Sequence, residues 1–387
     1  MNMTTQVTIV GDGIAGMTLA IDLAQRGVRV ALFGRGVQGT SHPIENDFDS
    51  RIYTVRPGLI DYLKRIGVWG LVDDRRIQPV YGMWVRGVSE TSVLEFDALE
   101  CGVESLATTV EQASLLDALS QLCSNVEHIQ YKTGYEFQSF EHVDNGVVIQ
   151  NSQGTFPSKL LVGADGAQSS VRAALGIEFQ VKDYQSIGVV ANFATDNSHC
   201  GRAYQIFFDD GILALLPLPG NRVSMVWSLP ETLAKNILST GEEGLSDHVY
   251  RRFDILGALR CITPPRSFPL RRGVARECTA ERVALIGDAL RHIHPLAGQG
   301  LNLGLADARK LGELIGAAKT DDPGSRQILR RYARARREET IVFSEFTDLL
   351  SGLFSRNKLW SNIGNAGFRL VNQCPPLKRY FVSRAVE

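Results

Sequence analysis

The sequence lacks any long apolar run. No stretch approaches the ~18 consecutive apolar residues that a membrane-spanning helix needs. The first residues, MNMTTQVTIVGDG, contain neither the basic segment nor the apolar core of a secretory signal peptide. We therefore expect a cytoplasmic protein, and any contact with a membrane would be peripheral, at the inner membrane surface.

An excess of charge of one sign is also missing. Lys and Arg number 41 against 42 Asp and Glu, which gives a formal net charge of -1 at pH 7. Nucleic-acid-binding domains usually carry a surplus of basic residues, so nucleic acid is not expected as a partner. With 387 residues, 44% of them hydrophobic, the chain can form a large core and favours two domains over one.

Closely spaced cysteines are absent as well. The six cysteines are scattered and none forms a CxxC pair, which argues against a zinc ribbon and a disulfide framework. Reduced thiols are the expected state in the cytoplasm. His292 and His294 are neighbours, but no cluster of Asp, Glu or Cys beside them supplies further ligands. No metal is therefore expected.

Apolar strands alternate with helical segments at the start of the chain. Residues 7–10 form a short apolar run, 14–26 have helical spacing, and 28–33 form a second apolar run. This order predicts a strand, a helix and a strand of a parallel sheet. Segments 154–176 and 281–319 repeat the pattern.

The middle of the chain has a different pattern. Residues 183–230 contain alternating or apolar runs such as AYQIFFDDGILALLPL and NRVSMVWSL, which are typical of antiparallel strands. We therefore predict a mixed α/β fold, in which a β-rich substrate domain is inserted into a discontinuous Rossmann-like domain. The predicted divisions are 1–75, 101–180 and 266–330 for the Rossmann-like domain, 76–100 and 181–265 for the inserted antiparallel β-sheet domain, and 331–387 for C-terminal helices.

The stretch GDGIAG has glycines at GxGxxG spacing, after a strand and at the start of a helix. Gly11 allows a tight turn, Gly13 lets a pyrophosphate approach the backbone, and Gly16 permits close contact of helix and strand. The helix N-terminus offers free N–H groups to the phosphates. In this context the motif predicts dinucleotide binding, and we include Ala15 of the same turn among the binding residues.

An acidic residue at the end of the second strand is lacking. In this fold such a residue usually holds the ribose hydroxyls, but here the position is Gly34, followed by Arg35. Three alternatives stay open. Another residue holds the ribose, the ribose is bound less tightly, or Arg35 contacts the adenosine half. If the contact is missing, Gly34→Glu should tighten binding.

Two further motifs follow GxGxxG in order: ADGAQSSVR at 164–172 and GDALRHIHPLAGQGLN at 287–302. Over nearly the whole chain this arrangement resembles the FAD-dependent aromatic hydroxylases of the p-hydroxybenzoate hydroxylase fold. HPLAGQGLNLGLAD looks most like the ubiquinone-biosynthesis hydroxylases within that family. The family often has His where this chain has Arg291.

The resemblance implies roles for polar residues outside the glycine loops. It places Asp165 near the FAD pyrophosphate, and Asp288 on the ribityl chain of FAD. Arg51, with Arg56 as an alternative, would lie beside FAD, and Gln112 would contact it. Simpler roles stay open: a helix cap or turn for the two aspartates, a surface salt bridge for the arginine, and a solvated helix start for the glutamine.

The resemblance also places the flavin ring at the PLAGQG loop and the start of the next helix. A helix N-terminus there would stabilise negative charge on the reduced ring. The residues implied are Pro295, Gly298, Gly300, Leu301 and Asn302. His294 and Pro295 are the candidate catalytic residues, and His294 faces either the substrate or the flavin loop.

The implied reaction is hydroxylation of a prenylated phenol in ubiquinone biosynthesis. NAD(P)H as co-substrate would reduce FAD, and a C4a-hydroperoxide would deliver oxygen to the ring. Two alternatives stay open: hydroxylation of a soluble phenol, and a non-catalytic flavoprotein subunit of a biosynthetic complex. The WxWxIP motif of the halogenases of this fold is not found.

The tail of the chain mixes aromatic and basic residues in CPPLKRYFVSRAVE. Such a segment can touch anionic lipid or a partner protein. The apolar stripe of Phe346, Leu349 and Leu353 favours a capping helix pair or a homo-oligomer surface instead.

Overall fold

The computed structural model describes residues 5–36, 48–88, 92–292, 299–318 and 321–337. The predicted site residues His294, Pro295 and Gly298 lie outside the described residues, as does the tail from residue 338. No helix in the described part of the chain is long and apolar enough to cross a membrane.

Short strands make up most of the regular structure. In chain order they are β1 (Val7–Val10), β2 (Val30–Gly34), β3 (Ile52–Val55), β4 (Gln78–Val80), β5 (Gly82–Arg86), β6 (Val93–Asp97), β7 (Ala107–Glu111), β8 (Ile129–Thr133), β9 (Phe137–Val143), β10 (Gly146–Asn151), β11 (Gly154–Ser158), β12 (Leu160–Gly163), β13 (Phe179–Thr195), β14 (Arg202–Phe208), β15 (Gly211–Leu218), β16 (Arg222–Pro230), β17 (Leu259–Cys261), β18 (Arg266–Ala275), β19 (Thr279–Ala280), β20 (Val283–Leu285) and β21 (Arg291–His292).

The helices are distributed along the chain between the strands. They are α1 (Ile14–Gln25), α2 (Pro57–Arg65), α3 (Ala98–Cys101), α4 (Gln112–Asn125), α5 (Ser170–Ala174), α6 (Glu231–Leu238), α7 (Gly241–Arg252) and α8 (Gln299–Ala318). Residues 326–337 are also helical. Short 3-10 turns occur at Trp69–Leu71, Asp74–Arg76 and Gly287–Ala289.

A six-stranded sheet has the order β19-β20-β12-β1-β2-β8, and all its neighbours are parallel except β19 and β20. Val7 and Ile9 of β1 face a core formed with α1, α2, α4 and α8. Val10 and Leu161 pack on the other face against β10 and α5. Burial on both faces explains why β1, β2 and β12 are continuous apolar runs.

A second large sheet has the order β21-β18-β13-β16-β15-β14-β5-β6, with β17 paired to β13. Its neighbours are antiparallel except β14 and β5, which are parallel. The helices α6 and α7 cover one face, where Phe193, Met225, Trp227 and Leu245 are buried together. The predicted mixed α/β class with an antiparallel sheet is confirmed, and the β14–β5 pair is the addition that the sequence did not indicate.

Two small three-stranded sheets complete the fold. One is formed by β9, β10 and β11, the other by β3, β7 and β4. The second contacts both large sheets. Val55 and Val110 are buried in the core beside β1, and Thr109 on β7 donates to the Pro217 carbonyl on β15 at 2.7 Å. Asn192 on β13 adds a second link by donating to the Asp49 carbonyl at 2.9 Å.

The predicted domain divisions cross a continuous sheet. The division at 180 falls inside β13, and β18, placed in the Rossmann-like part, pairs with β13 along most of its length. The divisions therefore stay a prediction about how the chain is organised.

Candidate functional site

The GxGxxG turn is tightly packed at its outer glycines and open at the middle one. Gly11 has a φ of 116°, and a Cβ built on it would lie 2.7 Å from the Asp165 nitrogen and overlap the Ala164 carbonyl. A Cβ on Gly16 would overlap the carbonyl of Gly11. Around Gly13, which precedes α1, a Cβ would have nothing within 4 Å, and no side chain caps the helix. This open helix N-terminus fits a phosphate group.

Three motifs meet beside this turn. A Cβ on Gly287, whose φ is 60°, would lie 3.3 Å from the Ala15 Cβ, and one on Gly304 would lie 3.5 Å from the same atom. The starts of α1 and α8 and the 3-10 turn Gly287–Ala289 therefore converge. Ala15, predicted as a binding residue, packs its side chain into this junction.

The two carboxylate oxygens of Asp165 differ in their hydrogen bonding. Its Oδ2 accepts hydrogen bonds from the N–H groups of Ser170 at 2.7 Å and Val171 at 3.1 Å, so it caps α5 as the simpler interpretation required. Its Oδ1 is buried and has no hydrogen-bond partner among the described residues. A buried acceptor beside Gly11 fits a bound hydroxyl or water and is compatible with the predicted cofactor role.

Arg172 connects the second motif to the third. Its guanidinium donates to the carbonyls of Ala289 and Ala167, each at 2.8 Å, and lies 3.7 Å from the centre of the Phe179 ring. This bridge fixes the turn around Asp288 relative to that around Asp165.

Tyr53 is the centre of a cluster that the sequence did not indicate. Its hydroxyl donates to Gln112 Oε1 at 2.7 Å, and Arg51 donates to the same oxygen at 3.4 Å. Burial raises the pKa of Tyr53 to about 12, and the charge of Asp288 also raises it while that of Arg51 lowers it. Two of the predicted residues, Arg51 and Gln112, therefore meet at Tyr53, and Asp288 is near enough for its charge to raise the pKa of the phenol.

Arg51 itself is exposed and makes no ion pair within the described ranges. The alternative of a plain surface salt bridge is not seen there. Beyond its contact with Gln112, the exposed guanidinium can meet an anionic or polar ligand.

A buried ion pair supports this cluster from behind. Glu111, which precedes Gln112, is fully buried and bonded to the Arg76 guanidinium, with one contact of 2.8 Å. Glu111 also accepts from the Asp49 N–H at 2.5 Å, and Asp49 accepts from Ala113 at 3.3 Å. These bonds fix the start of α4 and so the position of Gln112.

Asp288 is half-exposed and pairs with a histidine. His292 Nδ1 lies 3.3 Å from Asp288 Oδ2, and the hydrogen bond to Asp288 raises the pKa of His292. His292 is therefore a partner of Asp288, a role that the sequence analysis did not assign to it.

Arg291, where the resemblance expected His, is a buried structural residue. It contacts Asp307 at 2.7 Å, and Arg336 contacts the same carboxylate at 2.7 Å. Asp307 also accepts from the N–H of Gly287 at 2.9 Å. The arginine thus holds the flavin motif to α8 and to the helical residues 326–337.

The start of α8 is fixed by Asn302. Its side chain accepts from the Arg56 N–H at 3.0 Å and donates to the Thr54 carbonyl at 2.7 Å. The side chain therefore anchors β3, whereas the predicted role of Asn302 lies in its backbone N–H. Gly300 and Leu301 are half-buried beside it.

Similarity to known proteins identifies the chemistry of this site. A family described as FAD binding domain matches residues 4–342 of the chain. The protein belongs to this family. FAD is its cofactor, and the identification from the three motifs is confirmed.

Characterised relatives narrow the family. The chain is 31% identical over 385 residues to ubiquinone hydroxylase UbiL of Rhodospirillum rubrum, covering 98% of this chain and 89% of UbiL. It is 29% identical over 361 residues to 3-demethoxyubiquinol 3-hydroxylase of Escherichia coli, covering 92% and 91%. The chain is thus an FAD-dependent monooxygenase of the hydroxylase type.

A solved structure shares the fold. p-Nitrophenol 4-monooxygenase PnpA from Pseudomonas putida superimposes with a TM-score of 0.79 at 20% identity, over 99% of this chain and 98% of PnpA. At this identity the likeness shows the fold alone.

The described residues fit FAD at two points. Gly13 leaves room at an uncapped helix end, and Asp165 offers a buried unpaired oxygen beside it. The residues that would hold the cofactor are Gly13 and Asp165 at the pyrophosphate, and Asp288 with Arg51 and Gln112 farther along it. Their individual roles stay predictions.

Sequence reasoning missed two residues, Tyr53 and Asp12. Tyr53 follows Arg51 by two positions in DSRIYTV, so the strand period of two was the available signal. Asp12 lies inside GDGIAG, where only the glycines carried an expectation, and its side chain lies at the end of β2 beside Gly34. Arg35, the residue predicted there, is exposed.

Proposed function

We propose that this monooxygenase hydroxylates the aromatic ring of a prenylated phenol in ubiquinone biosynthesis, with NAD(P)H as the electron donor. The observation that carries the proposal is the similarity to ubiquinone hydroxylase UbiL over 98% of the chain. The 3-demethoxyubiquinol 3-hydroxylase of Escherichia coli supports the same class of substrate.

Half-buried apolar side chains on one sheet face, next to the predicted cofactor residues, fit a hydrophobic substrate. The sequence analysis pointed to the strand residues Tyr204, Ile206, Phe208, Leu213, Leu215 and Leu216. All but Leu216 pack in the core beneath α6 and α7.

Leu216 lies on the opposite face, together with Ala214 and Val226, and each of these is half-buried. This face carries Asn192, whose link to Asp49 places it beside the segment that leads to Arg51. An aromatic ring with an apolar chain would lie between this face and the flavin.

The chain's own residues prepare this space. When bound, FAD accepts electrons from NAD(P)H and activates dioxygen. Arg51, Gln112 and Asp288 would orient the cofactor, and the apolar face would hold the ring and exclude water. Tyr53, whose pKa is raised to about 12, stays protonated at neutral pH and keeps donating its hydrogen bond to Gln112.

The alternative of a non-catalytic subunit rested on two unusual positions. Arg291 replaces the expected His, and it has a structural partner in Asp307. Gly34 replaces an acidic residue, and the carboxylate of Asp12 lies at that place. With both positions accounted for, catalysis is the favoured interpretation.

We further propose that the protein stays in the cytoplasm and reaches its substrate at the inner membrane surface. The predicted contact segment is the basic and aromatic tail within 331–387. Contact of that tail with anionic lipid, with a partner protein or with a second copy stays a prediction.

The function is tested with two matched phenols, one with a prenyl chain and one with the same ring alone. Under anaerobic conditions the rate of flavin bleaching by NADH or NADPH is measured with each phenol. We expect the prenylated phenol to accelerate bleaching more than its chainless partner. Equal acceleration would favour a soluble substrate, and no bleaching with any prenylated phenol would favour the non-catalytic subunit.

A variant on the apolar face links this result to the structure. Leu216→Glu should abolish the preference for the prenylated phenol while FAD is retained, because a charge cannot be buried against an apolar chain. Leu99→Glu is the matched control, since Leu99 is 88% exposed on α3. If Leu216→Glu keeps the preference, the face is not the substrate site.

A further inference from the structure

The end of β2 lacks the acidic side chain that usually binds ribose in this fold, yet a carboxylate is present there. A Cβ built on Gly34 would overlap the carboxyl group of Asp12. Asp12 follows β1, and Gly34 is the last residue of β2. The two residues are adjacent because β1 and β2 pair in parallel, with Val10 opposite Phe33. The Asp12 carboxylate therefore occupies the place where a side chain of residue 34 would begin.

Hydrogen bonds to one of its two oxygens hold the Asp12 carboxylate in place. Oδ2 accepts from the N–H of Gly36 at 2.8 Å and from the hydroxyl of Tyr131 at 3.0 Å. Tyr131 lies on β8, directly opposite Leu32 of β2. Within the ranges that the structure describes, Oδ1 has no hydrogen-bond donor. Asp12 is half-buried, so one oriented carboxylate oxygen is left for a ligand.

The neighbourhood specifies which part of a ligand that oxygen would meet. Asp12 stands between Gly11 and Gly13, directly before the helix end that fits the pyrophosphate. In dinucleotide folds the adenosine ribose lies between this turn and the end of the second strand. Asp12 reaches that strand end from the first turn, whereas the usual acidic residue belongs to the strand itself.

We propose that Asp12 binds the hydroxyls of the adenosine ribose of FAD, and that Gly34 is glycine because this carboxylate fills its side-chain space. Gly36 and Tyr131 are positioning residues that orient the carboxylate. The inference rests on FAD binding alone, which family membership shows, and is independent of the substrate and of NAD(P)H.

The competing interpretation is that Asp12 only stabilises the turn after β2 through Gly36. Both roles predict weaker FAD binding when Asp12 is replaced. They differ in how the loss depends on the ribose hydroxyls.

The test is a fluorescence titration of the FAD-free protein with three flavins: FAD, FAD with a 2′,3′-dideoxyadenosine half, and FMN. A hydrogen bond to a charged group is worth about 1.5–3 kcal/mol. We therefore expect the wild-type protein to bind FAD about ten- to a hundredfold more tightly than the dideoxy analogue. Asp12→Ala should remove this preference and leave FMN affinity unchanged, because FMN lacks the adenosine half.

Two further variants keep the test decisive. Gly34→Glu alone should weaken FAD binding through its clash with Asp12, and adding Asp12→Gly should restore both FAD affinity and the hydroxyl preference. Asp12→Asn keeps the shape and should reduce the preference if Asp12→Ala does not fold.

Three results would overturn the proposal. They are a wild-type protein that binds FAD and the dideoxy analogue equally, an Asp12→Ala variant that keeps the preference, and a variant that loses affinity for all three flavins by the same factor. The last result would show a purely structural role.

Discussion

At the scale of single residues, a buried group of charges links the third motif to α8 and to the helical residues 326–337. Asp307 is completely buried and compensates two arginines, Arg291 and Arg336, whose side chains are 1% and 3% exposed. Removing one member of such a group leaves unpaired charge in a medium of low dielectric constant. Arg291 is thus explained by its partner, which lies on α8, sixteen positions along the chain.

The first prediction concerns this group. Asp307→Ala should lower the free energy of unfolding by about 3–5 kcal/mol, because buried Arg291 loses its ion-pair partner and Arg336 loses one of its contacts. Chemical denaturation of the FAD-loaded protein measures it. The control is Lys235→Ala, since Lys235 and Glu231 form an exposed pair whose loss should change stability by less than about 1 kcal/mol. Equal effects of the two variants would contradict the assignment.

The second prediction concerns the titration of His292. The hydrogen bond to Asp288 raises its pKa above the ordinary 6.5. Because the folded-state pKa is the raised one, the stabilisation is fully present below about pH 6.5 and is lost as the pH rises through the folded pKa. NMR titration of His292 should show the raised pKa, and Asp288→Asn should lower it. A pKa unchanged by Asp288→Asn would exclude the pair.

The sequence predicts residues well where they belong to a motif and poorly where a contact depends on the fold. Arg51 and Gln112 were expected to contact the same cofactor, and the structure places both at Tyr53, while their binding roles and that of Asp288 stay predictions. The expectation that Gly34→Glu tightens binding applied only if the ribose contact is missing. It stays a prediction, and the close approach of Asp12 to Gly34 argues against it. That contact joins residues from two strand ends, so no local pattern reveals it.

At the scale of secondary-structure elements, the turn into α1 contains one glycine required for packing and another that leaves space for a ligand. Gly13 and Gly16 belong to the same motif. A Cβ added to Gly16 would overlap the backbone of Gly11, whereas a Cβ added to Gly13 would have nothing within 4 Å. The third prediction uses this difference, with Gly13→Ala and Gly16→Ala as a matched pair.

Gly13→Ala should fold with stability within about 1 kcal/mol of wild type and lose FAD affinity, since its Cβ occupies the phosphate space. Gly16→Ala should lower the stability of the FAD-free protein itself, because its Cβ overlaps the carbonyl of Gly11. Thermal denaturation without FAD and fluorescence titration with FAD measure the two effects. If Gly13→Ala retains wild-type FAD affinity, the pyrophosphate lies elsewhere.

Local elements follow from periodicity, whereas their partners do not. The helix expected over 14–26 is observed as α1 at Ile14–Gln25, and the apolar runs on either side of it are β1 and β2. By contrast, β13 has 17 residues and pairs with β16, β17 and β18. Such pairing joins segments far apart in sequence, and so does the parallel pair of β14 and β5.

At the scale of the whole molecule, two large sheets share a site through a small one. The sheet of β3, β7 and β4 carries Tyr53 and leads into Gln112, and it is bonded to the large antiparallel sheet through Thr109 and Asn192. The predicted cofactor residues and the proposed substrate face therefore stand on one connected frame. The sequence predicts the two layers, but this third sheet is too short to be read from strand patterns.

The fourth prediction follows from that frame and tests the central claim, that the protein transfers one oxygen atom from dioxygen to a prenylated phenol. The FAD-loaded protein is incubated with NAD(P)H, a prenylated phenol and oxygen-18 dioxygen, and the product is examined by mass spectrometry. The account predicts a product that carries one oxygen-18 atom on the ring. Oxidation of NAD(P)H that yields only hydrogen peroxide and leaves every prenylated phenol unchanged would contradict it.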